Sequence, residues 1–149
     1  MVDNSGDVVN EFFDQGNDTV YASINYLTPA DVENAVLTGG AITATGNALN
    51  NVLVGNALGN SLVGGAGNDL LAGGAGNDLL VAMSGRRNDN HAFYGGPGND
   101  ILTIDGGPGD DIVEGGMGID LVAGAVQMLG SSDASGLTGT VLRATGGRA

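Results

Sequence analysis

The sequence lacks cysteine, lysine and tryptophan, and it contains only four arginines, three phenylalanines and three tyrosines. Without cysteine, the chain can form neither disulfides nor thiolate metal sites. With few basic residues and a formal net charge of −13, it lacks the cations that bind nucleic-acid phosphates or anionic membrane surfaces. No apolar run approaches the roughly 18 residues that a membrane span requires. We therefore exclude nucleic acid as a partner, and we predict no membrane-spanning segment.

Glycine and acidic residues are abundant instead. The 149 residues include 29 glycines and 17 aspartates and glutamates. Because aromatic residues are scarce, Leu, Val, Ile and Ala must fill the core, which favours a thin, layered interior. The carboxylates either make the protein soluble and acidic or bind a cation, and their spacing decides between these interpretations.

A nine-residue repeat runs through the centre of the chain. In register, the blocks are GNALNNVLV (46–54), GNALGNSLV (55–63), GGAGNDLLA (64–72), GGAGNDLLV (73–81), GGPGNDILT (95–103), GGPGDDIVE (106–114) and GGMGIDLVA (115–123). Five of the seven fit GGxGxDxUx, in which U is a large apolar residue. This pattern resembles the calcium-binding nonapeptide repeat of parallel β-helices.

Each position of the repeat has a chemical role. The glycines at positions 1, 2 and 4 permit φ > 0 and turn carbonyl groups toward one point. Position 8 supplies the interior: Leu53, Leu62, Leu71, Leu80, Leu102, Val113 and Val122. Ca²⁺ takes six to eight oxygen ligands from carboxylates and carbonyls. The candidate metal ligands are the carboxylates of Asp69, Asp78, Asp100, Asp111 and Asp120 at position 6, and the turn residues Gly64, Ala66, Gly73, Ala75, Gly95, Pro97, Gly106, Pro108 and Gly115.

We predict an all-β fold, a right-handed parallel β-roll or β-helix solenoid with about 18 residues per coil. Two repeats form one coil, so each repeat stacks on the next but one. Stacked carboxylates about 4.8 Å apart repel by about 3–4 kcal/mol at an effective dielectric of 20. A dication between coils converts this repulsion into coordination, so we expect metal binding and folding to be one event.

Residues 46–123 resemble the calcium-binding repeat region of the RTX group of secreted bacterial proteins. The resemblance implies Ca²⁺ as the cofactor, an extracellular location, and type I export without a cleaved signal; the N-terminal MVDNSGDVVNEFF shows no signal peptide. Residues 1–45 resemble the degenerate coils that precede such repeats, which suggests a fragment of something longer. Within them, Asp18 is a candidate vestigial site. Residues 124–149 depart from the repeat and lack the aromatic-rich ending of many RTX proteins.

The repeat is broken in two places. Blocks 46–54 and 55–63 have Leu49 and Leu58 at position 4 and Asn51 and Asn60 at position 6, so we predict metal-free coils over 46–63, with weak participation of the Asn oxygens as the alternative. Residues 86–94 form a degenerate repeat after a four-residue bulge at 82–85. His91 then occupies position 6 and Phe93 the apolar slot. With no second His or Cys, His91 is better explained as a turn residue than as a transition-metal ligand.

Two columns of position-6 residues follow from this register. One column contains Asn60, Asp78, Asp100 and Asp120, and the other contains Asn51, Asp69, His91 and Asp111. The favoured calcium sites are therefore Asp78/Asp100 and Asp100/Asp120. If 82–94 loops out entirely, Asp69, Asp100 and Asp120 align instead.

The sequence indicates a structural module rather than an enzyme, since it has no triad, no phosphate loop and no pair of His ligands. We expect a calcium-binding module of an extracellular bacterial protein that folds on binding calcium. One alternative is a filament or matrix subunit that self-associates end to end. A second is a module for an anionic polysaccharide such as a uronate, through Arg86, Arg87, His91 and Tyr94. A contact between these arginines and a neighbouring carboxylate is the simpler explanation for them.

Overall fold

The computed structural model describes residues 1–11, 16–83, 89–105, 111–124 and 141–143. Regular structure in these residues is entirely β, in short strands separated by glycine- and asparagine-rich turns. The strands are β1 (Thr19–Ala22), β2 (Tyr26–Leu27), β3 (Asn34–Leu37), β4 (Thr43–Thr45), β5 (Val52–Val54), β6 (Ser61–Val63), β7 (Leu70–Ala72), β8 (Leu79–Met83), β9 (Ala92–Pro97), β10 (Ile101–Asp105), β11 (Ile112–Met117), β12 (Leu121–Gly124) and β13 (Val141–Arg143). Over these ranges, no helix is long and apolar enough to cross a bilayer.

Successive strands alternate between two parallel sheets. The odd-numbered strands form a seven-stranded sheet in the order β1-β3-β5-β7-β9-β11-β13, and the even-numbered strands form a six-stranded sheet in the order β2 to β12. Every strand therefore pairs with the strand one coil away, as in a parallel β-solenoid. The predicted all-β parallel solenoid is confirmed.

The coil length is 15 residues from β1 to β3 and 18 residues in the coils that follow, and it changes again where the repeat is interrupted. Asn51 and Asp69 are 18 residues apart in adjacent coils. Across the interruption Asp78 contacts Asp100, 22 residues away, and the next step, from Asp100 to Asp120, is 20 residues. The four additional residues are thus absorbed without a change of sheet, which keeps the two columns in the predicted order.

The interior is a narrow stack of apolar side chains from both sheets. Leu53, Leu71, Phe93 and Val113 stack in one sheet, and Leu62, Leu80 and Leu102 stack in the other; all seven are fully buried. Phe93 fills the apolar slot of its degenerate repeat as predicted. The prediction for Val122 was wrong, because its side chain remains 38% exposed on β12.

The interruption also lengthens the strands of one sheet. Ala82 and Met83, the first half of the predicted bulge at 82–85, continue β8 and pair with Ile104 and Asp105 of β10. The other half of the bulge, 84–85, lies outside the described residues, as does most of 124–149. At the N-terminal end, Val20 and Ala22 are buried in β1, and Ala22 also forms an isolated bridge with Val2.

Candidate metal centre

In the four Asp repeats whose position-1 glycine is described, the position-6 carboxylate lies directly over that glycine. A Cβ on Gly64 would collide with Oδ2 of Asp69, and a Cβ on Gly95 would collide with Oδ2 of Asp100. The same relation joins Gly73 to Asp78 and Gly115 to Asp120. Glycine is therefore required at position 1 because it leaves room for the carboxylate.

The glycines at positions 2 and 4 adopt the positive φ that the sequence predicted for positions 1, 2 and 4. Gly74, Gly76, Gly96 and Gly98 have φ between 101° and 157°, which favours glycine. They also approach the preceding coil closely, since a Cβ on Gly96 would collide with the carbonyl oxygen of Gly74. Gly64, Gly73, Gly95 and Gly115 do not have positive φ, so the prediction was wrong for position 1.

One column of position-6 residues contains three consecutive aspartates. Oδ1 of Asp78 accepts the backbone N–H of Asn60 at 2.7 Å, Oδ1 of Asp100 accepts that of Asp78 at 2.9 Å, and Oδ1 of Asp120 accepts that of Asp100 at 3.0 Å. The predicted order of this column is confirmed. The alternative alignment of Asp69 with Asp100 and Asp120 was wrong, because Asp69 stacks beneath His91.

The second column follows the same pattern and is interrupted by His91. The N–H of Asn51 donates to Asp69 Oδ1 at 2.9 Å, the N–H of Asp69 donates to His91 Nδ1 at 3.3 Å, and the N–H of His91 donates to Asp111 Oδ1 at 2.8 Å. The imidazole thus takes the place of a carboxylate as the acceptor of the N–H below it.

The second carboxylate oxygen of the buried aspartates has no such donor. Asp69, Asp78 and Asp100 are only 1–2% exposed, and Oδ2 of each is buried without a hydrogen-bond partner in the described part of the chain. Burial raises the pKa of all three, that of Asp69 to about 6. A buried ionised oxygen without a partner is costly, and a bound cation supplies the missing interaction.

The two repeats with Asn at position 6 provide an internal comparison for these oxygens. In blocks 46–54 and 55–63, Oδ1 of Asn51 and Asn60 lies over Gly46 and Gly55, where Asp Oδ2 lies in the other repeats. There, however, Asn51 Oδ1 accepts the N–H of Asn47 at 2.8 Å, and Asn60 Oδ1 accepts that of Asn56 at 2.7 Å. The oxygen at this place has a donor where the residue is Asn and lacks one where it is a buried Asp. The donor set therefore fits a cation in the Asp repeats only.

The other predicted ligands are backbone carbonyl groups. Among the described residues, no group of three or more His, Cys, Asp or Glu side chains could hold a metal ion. The predicted turn residues that lie within the described ranges are Gly64, Ala66, Gly73, Ala75, Gly95, Pro97 and Gly115. The carbonyl of Pro97 accepts the N–H of Gly76 at 2.9 Å and retains a second lone pair. Gly106 and Pro108 lie outside the described residues.

His91 sits in an acidic, buried environment that the sequence did not reveal. Its Nδ1 lies 3.9 Å from Asp69 Oδ2, and its Nε2 is buried without a partner in the described ranges. Burial lowers the pKa of His91, against the opposing effect of Asp111 and Asp89. Asp89, which is 8% exposed and takes the place of a turn glycine, was missed because it lies outside the Asp positions of the pattern.

Sequence analysis also missed a ladder of position-5 residues. The N–H of Asn68 donates to Asn50 Oδ1 at 2.8 Å, and that of Asn90 donates to Asn68 Oδ1 at 2.9 Å. The other sheet repeats the arrangement, since Asn99 and Ile119 donate to Asn77 and Asn99, both at 2.9 Å. Asn precedes Asp69, Asp78 and Asp100 in the sequence, and this recurrence was the available signal. Asn side chains thus reach the following coil, whereas Asp side chains reach the preceding one.

The remaining candidate residues are Asp18, Tyr94, Arg86 and Arg87. The N–H of Asp18 donates to Glu33 Oε2 at 2.9 Å, which places Asp18 at the N-terminal start of the His91 column. Tyr94 is 36% exposed. Arg86 and Arg87 lie outside the described residues, so an anionic polysaccharide site there stays a prediction.

Comparison with known proteins identifies the repeat. A family model described as the RTX calcium-binding nonapeptide repeat matches residues 45–80 and 93–122, in four copies. No curated protein matches the chain, and no solved structure matches it either. RTX repeats form calcium-binding β-roll modules and are generally structural rather than catalytic. Residues 45–80 and 93–122 therefore carry RTX calcium-binding nonapeptide repeats, which stack into the two position-6 columns.

Proposed function

We propose that residues 64–124 are a structural module that folds when Ca²⁺ binds between its coils. The observation that supports this is the unpartnered, buried Oδ2 of Asp78 and Asp100 in one continuous column. These oxygens would bind the calcium ions together with the carbonyl groups of Gly73, Ala75, Gly95 and Pro97. Asp120 would complete the column. Calcium supplies the positive charge that these carboxylates require when they are buried.

The same residues explain why the module needs the metal in order to fold. The segment 64–124 carries nine acidic residues and only Arg86 and Arg87 as cations. The Asp78–Asp100–Asp120 column places like charges in successive coils, where they oppose folding. Because the ligands come together only when the coils stack, the binding free energy is also folding free energy.

An extracellular location suits this mechanism. RTX repeat proteins are typically secreted, and extracellular calcium modules bind with a Kd of roughly 10⁻⁴–10⁻³ M. In such a setting the chain would remain unfolded over 64–124 until it meets external calcium. We propose signal-peptide-independent secretion on the same grounds.

Circular dichroism during a calcium titration of the whole chain tests the proposal, with magnesium as the control. Calcium is expected to increase the β-sheet signal cooperatively, whereas magnesium, which requires near-ideal octahedral geometry, should not. An unchanged spectrum in millimolar calcium, or an equal response to magnesium, would contradict calcium-dependent folding.

End-to-end self-association is a second candidate function, favoured by the last described coil. Met117, Ile119, Leu121 and Val122 are exposed there, at 72%, 84%, 58% and 38%. Exposed apolar residues at the end of a solenoid favour contact with a second copy. Sedimentation velocity in saturating calcium tests this, and a strictly monomeric species would argue against a filament.

A further inference from the structure

We propose that the N-terminal coils, defined as β1 to β6 (residues 19–63), fold without calcium and form a template on which the calcium-binding coils assemble. This inference rests on the proposed function and adds an order to it. The N-terminal coils form first, and their exposed edge then positions the first aspartate of each column.

Asparagine amide groups in the N-terminal coils contact carbonyl groups of the preceding coil. Nδ2 of Asn47 donates to the carbonyls of Pro29 at 2.6 Å and Val32 at 2.7 Å. Nδ2 of Asn56 donates to the carbonyl of Ala41 at 2.7 Å. A neutral N–H donor therefore joins these coils through carbonyl oxygens, which is the role that a cation has in the proposed calcium sites.

The position-6 asparagines add a second set of bonds between the same coils. Nδ2 of Asn51 donates to the carbonyl of Glu33 at 3.0 Å, and Nδ2 of Asn60 donates to that of Ala41 at 3.3 Å. Their Oδ1 atoms close their own turns by accepting the N–H groups of Asn47 and Asn56. None of the buried polar atoms that lack a partner in the described ranges belongs to these four asparagines.

The distribution of charge independently supports the distinction between the N-terminal coils and the calcium-binding coils. Between Glu33 and Asp69 the sequence contains no charged residue, although the whole chain carries a net charge of −13. Stacking of β3 to β6 on one another therefore brings no carboxylates together. Leu53 and Leu62 are fully buried against Ala35 and Ala44, so the segment has its own apolar interior. Three strands in each sheet also meet the minimum of about three repeats for a stable solenoid.

The edge of the N-terminal coils fits the first calcium-binding coil. The N–H of Asn51 donates to Asp69 Oδ1 at 2.9 Å, and the N–H of Asn60 donates to Asp78 Oδ1 at 2.7 Å. The carbonyls of the same two asparagines accept the N–H groups of Leu70 and Leu79, both at 2.8 Å. A preformed edge thus orients the first carboxylate of each column before metal binds, which lowers the entropy lost on binding.

Hydrogen exchange of the whole chain, followed by mass spectrometry, tests this order directly. In EDTA the amides of 34–63 should be protected while those of 70–124 exchange rapidly, and saturating calcium should protect both. Rapid exchange throughout in EDTA, with protection in calcium, would overturn the template and leave the proposed function standing. Protection through residue 124 in EDTA would instead contradict calcium-dependent folding itself.

A double variant, Asn47→Ala with Asn56→Ala, tests the asparagine bonds themselves. It should lose protection of 34–63 in EDTA and require at least about tenfold more calcium to reach half-maximal β signal. Asn77→Ala is the matched control, because it removes one Asn side chain of the position-5 ladder within the calcium-binding coils. It should leave protection of 34–63 in EDTA unchanged. Unchanged protection in the double variant would contradict the template role of these asparagines, and the wild-type experiment stands even if the variant does not fold.

Discussion

Oδ2 of Asp100 lies over the α-carbon of Gly95, five residues earlier in the same turn, with no room for a side chain between them. The conformation of Gly95 does not require glycine, since its φ is not positive. The glycine is therefore a steric requirement of the carboxylate position. At Gly95, glycine is therefore needed to leave room for the carboxylate and not to allow the backbone conformation of the turn.

Gly95→Ala should weaken calcium binding without disturbing the N-terminal coils. The new methyl group would collide with Asp100 Oδ2 and with the carbonyl of Gly115, and overpacking of this kind costs about 1–3 kcal/mol. Calcium titration by circular dichroism should show a higher midpoint. Gly40→Ala is the control, because a Cβ there meets no atom within 4 Å. Equal midpoints for the two variants would contradict the steric role of Gly95.

Asp100→Ala should remove most calcium binding from the Asp78–Asp100–Asp120 column. Asp100 is the middle carboxylate, so the substitution affects both proposed sites, and Asp78 also loses the acceptor of its N–H. We expect isothermal calorimetry to show lower stoichiometry and an affinity reduced by at least tenfold, about 1.4 kcal/mol. Asp3→Asn, at an exposed aspartate, should bind as the wild type does. Unchanged stoichiometry for Asp100→Ala would exclude these sites.

His91→Asp should restore the second column and increase the number of bound calcium ions. The carboxylate would accept the N–H of Asp69 in place of Nδ1 and offer a second oxygen between Asp69 and Asp111. Without calcium, the variant should be less ordered than the wild type, because it adds a charge to a buried acidic column. His91→Asn is the control, since it supplies oxygen without charge. If His91→Asp and His91→Asn bind equally, a second site in this column is contradicted.

The calcium-free chain should gain order on acidification, and the calcium-bound chain should lose it. Burial, with a smaller contribution from Asp89, raises the pKa of Asp69 to about 6 from an ordinary value of 3.8, against the opposing hydrogen bond from Asn51. The folded state then holds its proton more tightly than the unfolded state. This contribution to stability is complete below the unfolded pKa and is lost as pH rises through the folded pKa.

Calcium reverses this dependence of stability on pH, because the ion competes with the proton for the same carboxylate oxygen. Burial also raises the pKa of Asp78 and Asp100, so the calcium midpoint should rise as pH falls. Thermal unfolding at pH 4.5, 6.0 and 7.5, in EDTA and in calcium, measures both trends. A calcium-free chain that is more ordered at pH 7.5 than at pH 4.5 would contradict the first trend.

Much of the solenoid follows from the sequence alone. Repetition every nine residues defines the apolar slot from Leu53 to Val113, the two-repeat coil and the register of the Asp78–Asp100–Asp120 column. It also places Phe93 and His91 correctly within a degenerate repeat. These features depend only on which residues align when coils stack, and a regular period determines alignment.

The tertiary structure decided what each aligned atom contacts. Nothing in the period indicates that Asp side chains reach the preceding coil and position-5 Asn side chains the following one, or that Asp89 approaches His91. The unpartnered Oδ2 of Asp100 is likewise visible only when adjacent coils are present together. The reason is physical: the backbone N–H groups that pair with Oδ1 of the position-6 aspartates lie 18 to 22 residues away, across a coil boundary. The sequence by itself therefore determined where the candidate calcium-binding carboxylates lie, and the stacked coils decided which of their oxygens remain unpaired.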